Sequence, residues 1–127
     1  MREILFRGYN VESKKWYQGM LGKFDGKYYI DDGKGTKAYV DEESIGQYTT
    51  FKDKYGEKIF EGDCITYLFS GEDVAEIYFV GYSDGAFSLF EDEEKEDVAD
   101  MIATFEPNMH CEVVENIYER KMRLKNI

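Results

Sequence analysis

Cys64, Cys111 and His110, the single histidine, carry the side chains that nucleophilic or metal chemistry most often uses. Nucleophilic catalysis needs a nucleophile, a base and a third group that orients the base. His110 and Cys111 are adjacent, and neighbours on a strand point to opposite faces, so they are poorly placed as a pair. Cys64 and His110 could meet only through the tertiary fold, and the simpler reading of both thiols is structural burial. A zinc centre wants four Cys or His ligands at a recognisable spacing, which one histidine and two isolated cysteines do not supply.

The acidic run Glu91-Asp92-Glu93-Glu94-Lys95-Glu96-Asp97 could hold a divalent cation. It lacks the glycine-punctuated alternation of a calcium loop, and a solvated helix start accounts for it. Gly33-Lys34-Gly35-Thr36 has the composition of a phosphate loop without the spacing or the following helix, and reads as a hairpin loop. Among the 27 Asp and Glu no carboxylate pair stands out for glycoside hydrolysis. The expectation is a chain that is not an enzyme and has no catalytic residues, cofactor or metal.

The elements that would position any site are short strands. Ile4–Tyr9, Trp16–Met20, Lys37–Val40, Ile45–Thr50, Ile59–Asp63, Cys64–Phe69, Val74–Tyr82, Ala86–Phe90 and Cys111–Tyr118 read as strands, and Phe24–Tyr29 as a hairpin between aromatics. Asp25-Gly26 and Asp84-Gly85 are hairpin turns, because both turn positions want positive φ. Ser70-Gly71-Glu72-Asp73 is a further turn. Strands this short and this regularly punctuated predict a mainly β fold, a small barrel or sandwich-like lobes. One short helix is expected near residues 93–105, where Val98, Met101, Ile102 and Phe105 fall at i, i+3, i+4 and i+7 and Pro107 ends the run. An aromatic content of 17%, with 11 Tyr and 9 Phe, suits a β core and excludes disorder.

Charge is uneven. Residues 1–60 carry 11 Lys/Arg against 10 Asp/Glu, a net of +1, and residues 61–127 carry 5 against 17, a net of −12. The chain reads as one domain over 1–127, and the change of balance near residue 60 is where it would divide into two β lobes. Nucleic-acid binding needs many cations to displace counterions, and the tail Arg120, Lys121, Arg123, Lys125 cannot supply that against an acidic body. No apolar run reaches the roughly 20 residues of a membrane span. Charges at Arg2, Glu3 and Arg7 break any signal-peptide core, so a cytoplasmic location with reduced cysteines is expected.

The most distinctive stretch is Ile45-Gly46-Gln47-Tyr48-Thr49, followed by Lys52-Asp53-Lys54-Tyr55-Gly56-Glu57-Lys58-Ile59-Phe60-Glu61-Gly62-Asp63. It resembles the GQYTGLKDKNGKEIYEGD signature of the YopX family of small phage and prophage proteins. The opening Arg2-Glu3-Ile4-Leu5-Phe6-Arg7 and the closing Glu112-Val113-Val114-Glu115-Asn116-Ile117-Tyr118-Glu119 also resemble that family's ends. Thr50-Phe51 stand where the family often has Gly-Leu, and Glu115 where it has Gly. The resemblance implies a mostly β protein encoded by phage or prophage, and it supplies no catalytic residues.

Gln47, Tyr48, Asp53, Gly56, Glu61, Gly62 and Asp63 are the candidate interaction or lobe-joining residues. The first function expected is a non-enzymatic interaction protein that forms homo-oligomers, since a near-neutral half and an acidic half suit head-to-tail contact. The second is an acidic protein that binds a basic, DNA-binding host or phage protein. The third is an enzyme with an unrecognised carboxylate or metal site.

Overall fold

Strand formers alternate with Gly, Asp and Asn through the chain, and the computed structural model shows the result: antiparallel strands joined mostly by short turns. It describes residues 3–69 and 71–125, so Arg2 of the opening motif and Ser70 of the expected turn lie outside the described residues. The chain divides into two compact units, residues 1–50 and 51–127.

Unit 1 holds β1 (Phe6–Asn10), β2 (Lys15–Phe24), β3 (Lys27–Asp31), β4 (Lys37–Tyr39), a 3₁₀ turn (Glu42–Ser44) and most of β5 (Gly46–Lys52). The strand order is β4-β3-β2-β1-β5, followed by the three-residue β6 (Lys58–Phe60). Asp25 and Gly26 join β2 to β3 with φ of 52° and 78°, the paired positive values that an Asp-Gly hairpin needs. The segment after β4 returns to β1: the Asp41 N–H donates to the Tyr9 carbonyl (2.9 Å) and the Asn10 amide to the Tyr39 carbonyl (2.7 Å). Gly8 permits this approach, since a Cβ there would lie 2.7 Å from the Val40 side chain. The inner face of the curled sheet buries Ile30 and Ala38.

Unit 2 continues with β7 (Asp63–Tyr67), β8 (Glu76–Ser83), β9 (Ala86–Phe90), β10 (Val98–Met101) and a 3₁₀ turn (Ile102–Phe105). It closes with α1 (Pro107–His110), β11 (Cys111–Asn116) and α2 (Ile117–Lys125). Five strands form one antiparallel sheet in the order β10-β9-β8-β7-β11. Asp84 and Gly85 turn β8 into β9 with φ of 50° and 82°. Ile65, Tyr78, Val80, Leu89 and Cys111 form the main core with Ile59 and Ile102, while Cys64, Phe79 and Ile117 form a second cluster. The fold is mainly β as expected, and neither sheet closes into a barrel.

Two segments differ from the sequence reading. The expected helix at 93–105 does not form: residues 93–97 belong to a turn, Val98–Met101 is an edge strand on β9, and only Ile102–Phe105 turns helically. The Asp92 carboxylate takes the N–H groups of Glu96 and Asp97, and Lys95 adopts φ 59°, so the acids close a loop instead of starting a helix. Pro107 begins α1 instead of ending a helix, at the first-turn position where a missing N–H costs nothing. The expected final strand stops at Asn116, whose side chain accepts from the Glu119 N–H (2.8 Å) and caps α2, so the basic tail is helical.

Candidate functional site

The residues best suited to covalent chemistry are not arranged for it. Cys111 pairs with Tyr67 across β11 and β7, and Cys64 pairs with Glu115 beyond a register shift. They belong to separate clusters on the two faces of the sheet. Burial pushes each thiol up to about 11, helped by the charge of Glu115 at Cys64 and of Asp53 at Cys111, so both stay protonated near neutral pH. His110 lies exposed in α1, its ring edge-on to Tyr67 at 5.6 Å. Among the described residues no group of three or more His, Cys, Asp and Glu could hold a metal ion.

The seven motif residues fall in three places. Gln47 and Tyr48 lie in β5, where the Tyr48 N–H donates to the Leu5 carbonyl (2.8 Å); burial first, then the charge of Glu3, holds its phenol above the ordinary value. Asp53 and Gly56 belong to the turn after β5. Asp53 is only 3% exposed, and its Oδ1 accepts from the Tyr55 and Glu57 N–H groups, both at 2.9 Å. Its Oδ2 accepts from Val113 (3.0 Å), while the Lys54 N–H donates to the Cys111 carbonyl (3.0 Å). β11 is the last strand of its sheet, so this turn supplies one donor and one acceptor where another strand would, and covers an open edge.

Glu61 and Gly62 form the turn between β6 and β7, and Asp63 opens β7. The buried Asp63 accepts from the Phe60 N–H through Oδ2 (2.7 Å). Gly62, at φ 93°, donates to the Val80 carbonyl and accepts from the Ile117 N–H, each at 2.8 Å, which ties β8 and the start of α2 to one residue.

The acidic run is partly engaged. Arg120 pairs with Glu93 and, at 3.4 Å, with Glu115, which also pairs with Arg123 (3.0 Å). The Arg123 hydrogen bond, outweighing burial that works the other way, holds the Glu115 carboxyl below its ordinary value. Glu91, Glu94, Glu96 and Asp97 remain exposed.

The surface that the sequence reading did not single out is the outer face of β2, β3 and β4. The pairings Met20↔Asp31, Gly22↔Tyr29, Phe24↔Lys27, Tyr29↔Tyr39 and Asp31↔Lys37 put these side chains on one side of the sheet. Phe24 is 68% exposed, Met20 58% and Tyr39 49%, apolar surface on the same face as Lys27 and Lys37. Gly22 makes room for it: a Cβ there would sit 2.2 Å from the Tyr29 ring. Tyr29 and Tyr39 meet edge-on at 6.2 Å, the Lys37 ammonium lies 5.4 Å from the Tyr29 ring centre, and Phe24, Tyr29, Lys37 and Tyr39 enclose a recess of about 230 Å³. On its other side Tyr39 borders an open hollow of about 400 Å³ with Asn10, Glu12, Lys27 and Tyr28. No strict alternation in the sequence announces this face, since Met20 and Leu21 are adjacent apolar residues and position 22 is glycine.

These features define a class: a small antiparallel β protein of two units, with buried thiols and an exposed aromatic and basic sheet face. Residues 5–125 match the family described as YopX protein, and the chain belongs to the YopX family. It is similar to the crystal structure of protein EF1440 from Enterococcus faecalis, at a TM-score of 0.57 and 22% identity, over 98% of this chain and 99% of that one. At that identity the likeness shows the fold alone. No curated protein matches the chain. Among the described residues no helix is long and apolar enough to cross a membrane.

Proposed function

We propose that this chain is a non-enzymatic interaction protein, encoded by phage or prophage and acting in the host cytoplasm, that associates with copies of itself. The observation that carries the reading is the outer face of β2–β4, where Met20, Phe24 and Tyr39 present apolar surface that isolated domains usually cover. The buried, protonated thiols support it from the other side, because they remove the most reactive groups from solvent. Light scattering across a concentration series at low salt tests the reading. A mass that rises with concentration supports it, and a monomer throughout sinks it.

A second reading, an acidic protein that grips a basic DNA-binding protein, is favoured by the exposed Glu91, Glu94, Glu96 and Asp97 in one loop. A monomer that nevertheless binds a lysine-rich protein at low salt and releases it at high salt would replace the first reading with this one.

A further inference from the structure

We propose that the outer face of β2–β4 docks on the β10 edge of unit 2 in a second copy of the chain. This rests on the self-association reading above and assigns its two surfaces.

The shape of the first surface points to a protein partner. Its recess of about 230 Å³ is smaller than the roughly 300–1,000 Å³ of small-ligand sites, and it suits an inserted side chain. The rings are also poorly placed for stacking a nucleobase. Tyr29 and Tyr39 stand at 77° to each other, Lys37 sits over Tyr29, and Lys27 lies 6.0 Å from the Tyr39 ring centre. A base would have to displace those ammonium groups, whereas a carboxylate reaches them where they are. Asp31, on the same face, is engaged by the Gly33 N–H at 2.9 Å. The complement is therefore apolar side chains flanked by carboxylates.

The chain carries that arrangement on β10. Val98 and Met101 are exposed, Glu96, Asp97 and Asp100 are exposed beside them, and β10 is the last strand in its sheet order. A symmetric contact of one β10 with another would set carboxylates against carboxylates in a region of net charge −12 over residues 61–127. Opposite charges meet when the β10 edge of one copy faces the rings of another that Lys27 and Lys37 border. That contact joins unlike surfaces, so it closes as a two-fold pair, each copy giving its face to the other's edge, closes as a larger ring, or runs on as an open chain of copies.

Two charge-reversed proteins test the pairing, each checked for folding by circular dichroism: Lys27→Glu with Lys37→Glu, and Glu96→Lys with Asp97→Lys. In sedimentation velocity at low salt the natural chain is expected to associate, and each variant alone to associate at least tenfold more weakly. An equimolar mixture of the two is expected to recover association, because each supplies the surface that the other lacks. Association of the lysine-reversed protein at the natural strength would overturn this pairing and leave self-association standing. So would a mixture that stays monomeric. A natural chain that is monomeric throughout overturns self-association itself.

Discussion

Asp32 and Asp53 each open a five-residue turn whose fourth residue is glycine. In the first, the Asp32 Oδ1 accepts from Lys34 (2.7 Å) and Thr36 (3.1 Å), and its N–H donates to the Thr36 carbonyl (3.0 Å). In the second, the Asp53 Oδ1 accepts from Tyr55 and Glu57, both at 2.9 Å, and its N–H donates to the Glu57 carbonyl (2.8 Å). Gly35 and Gly56 take φ of 100° and 83° at matching positions. The difference lies in the second oxygen. The hydrogen bonds of Asp32 stay inside its turn, whereas the Asp53 Oδ2 reaches Val113, 60 residues away. One local device therefore shapes a surface loop in unit 1, and in unit 2 it also covers a sheet edge.

The largest expected effect follows from that second oxygen. Asp53→Ala removes the acceptor from three N–H groups, those of Tyr55, Glu57 and Val113, in a buried place. The expected loss is about 3 kcal/mol by urea denaturation, since stranding buried donors costs about 1–3 kcal/mol. Asp32→Ala should move the midpoint far less. Asp53→Asn should fall between the two, because its amide can still serve Tyr55 and Glu57 but sets an N–H₂ against the Val113 N–H. Equal midpoint shifts for the two alanine variants would mean that the Val113 bond contributes nothing.

The shared backbone gives the next test. Nothing lies within 4 Å of a Cβ built at Gly35 or Gly56, so an added methyl meets only the cost of positive φ. Gly35→Ala and Gly56→Ala should each destabilise by about 1.5 kcal/mol, within the roughly 1–2 kcal/mol for a side chain in that region. Unequal losses in paired unfolding curves would show that tertiary context, and not the turn, sets the glycine requirement.

How much of this was legible divides along the same line. The Asp-Gly hairpins at Asp25 and Asp84, and Asp53 with Gly56 as turn residues, could be read because their chemistry is local. The bond from Asp53 to Val113 could not, since no sequence spacing encodes a contact 60 residues apart. The helix expected at 93–105 rested on four apolar residues, and the structure buries Ile102 while leaving Val98 and Met101 exposed on a strand. About two turns of periodicity is too little to outweigh pairing with β9. The missed α2 was readable: Asn116 followed three residues later by Glu119 is a helix-start pattern, and Arg123 and Lys125 suit its end. The outer face of β2–β4 was not legible, because Met20 and Leu21 are both apolar and point to opposite sides, so which side the core occupies is decided by the fold.

Thr50 shows the same backbone demand met without glycine. It sits in β5 at φ 74°, a costly conformation for a β-branched residue, at the position where the family pattern often has Gly. Thr50→Gly should relieve the strain and, after the entropy cost of glycine in a strand, stabilise by roughly 0.5–1 kcal/mol. A fall in the urea midpoint would show that the Thr50 side chain contributes more packing than its strain costs.

The smallest effect belongs to the titration of Asp32. The Lys34 N–H first, then that of Thr36, holds its carboxyl below the ordinary 3.8. A folded value below the unfolded one stabilises the turn above about pH 4, and the gain is lost as pH falls through the folded value. The amide proton shifts of Lys34 and Thr36 should therefore titrate together, with a common midpoint under 3.8, while in Asp32→Asn they stay flat over the same range. Because the carboxylate is solvent-exposed, global stability should follow nearly the same pH curve in the natural and variant proteins. A midpoint at or above 3.8 would mean that these bonds form without favouring the charged carboxylate, and the likeness between the two turns would then be one of geometry alone.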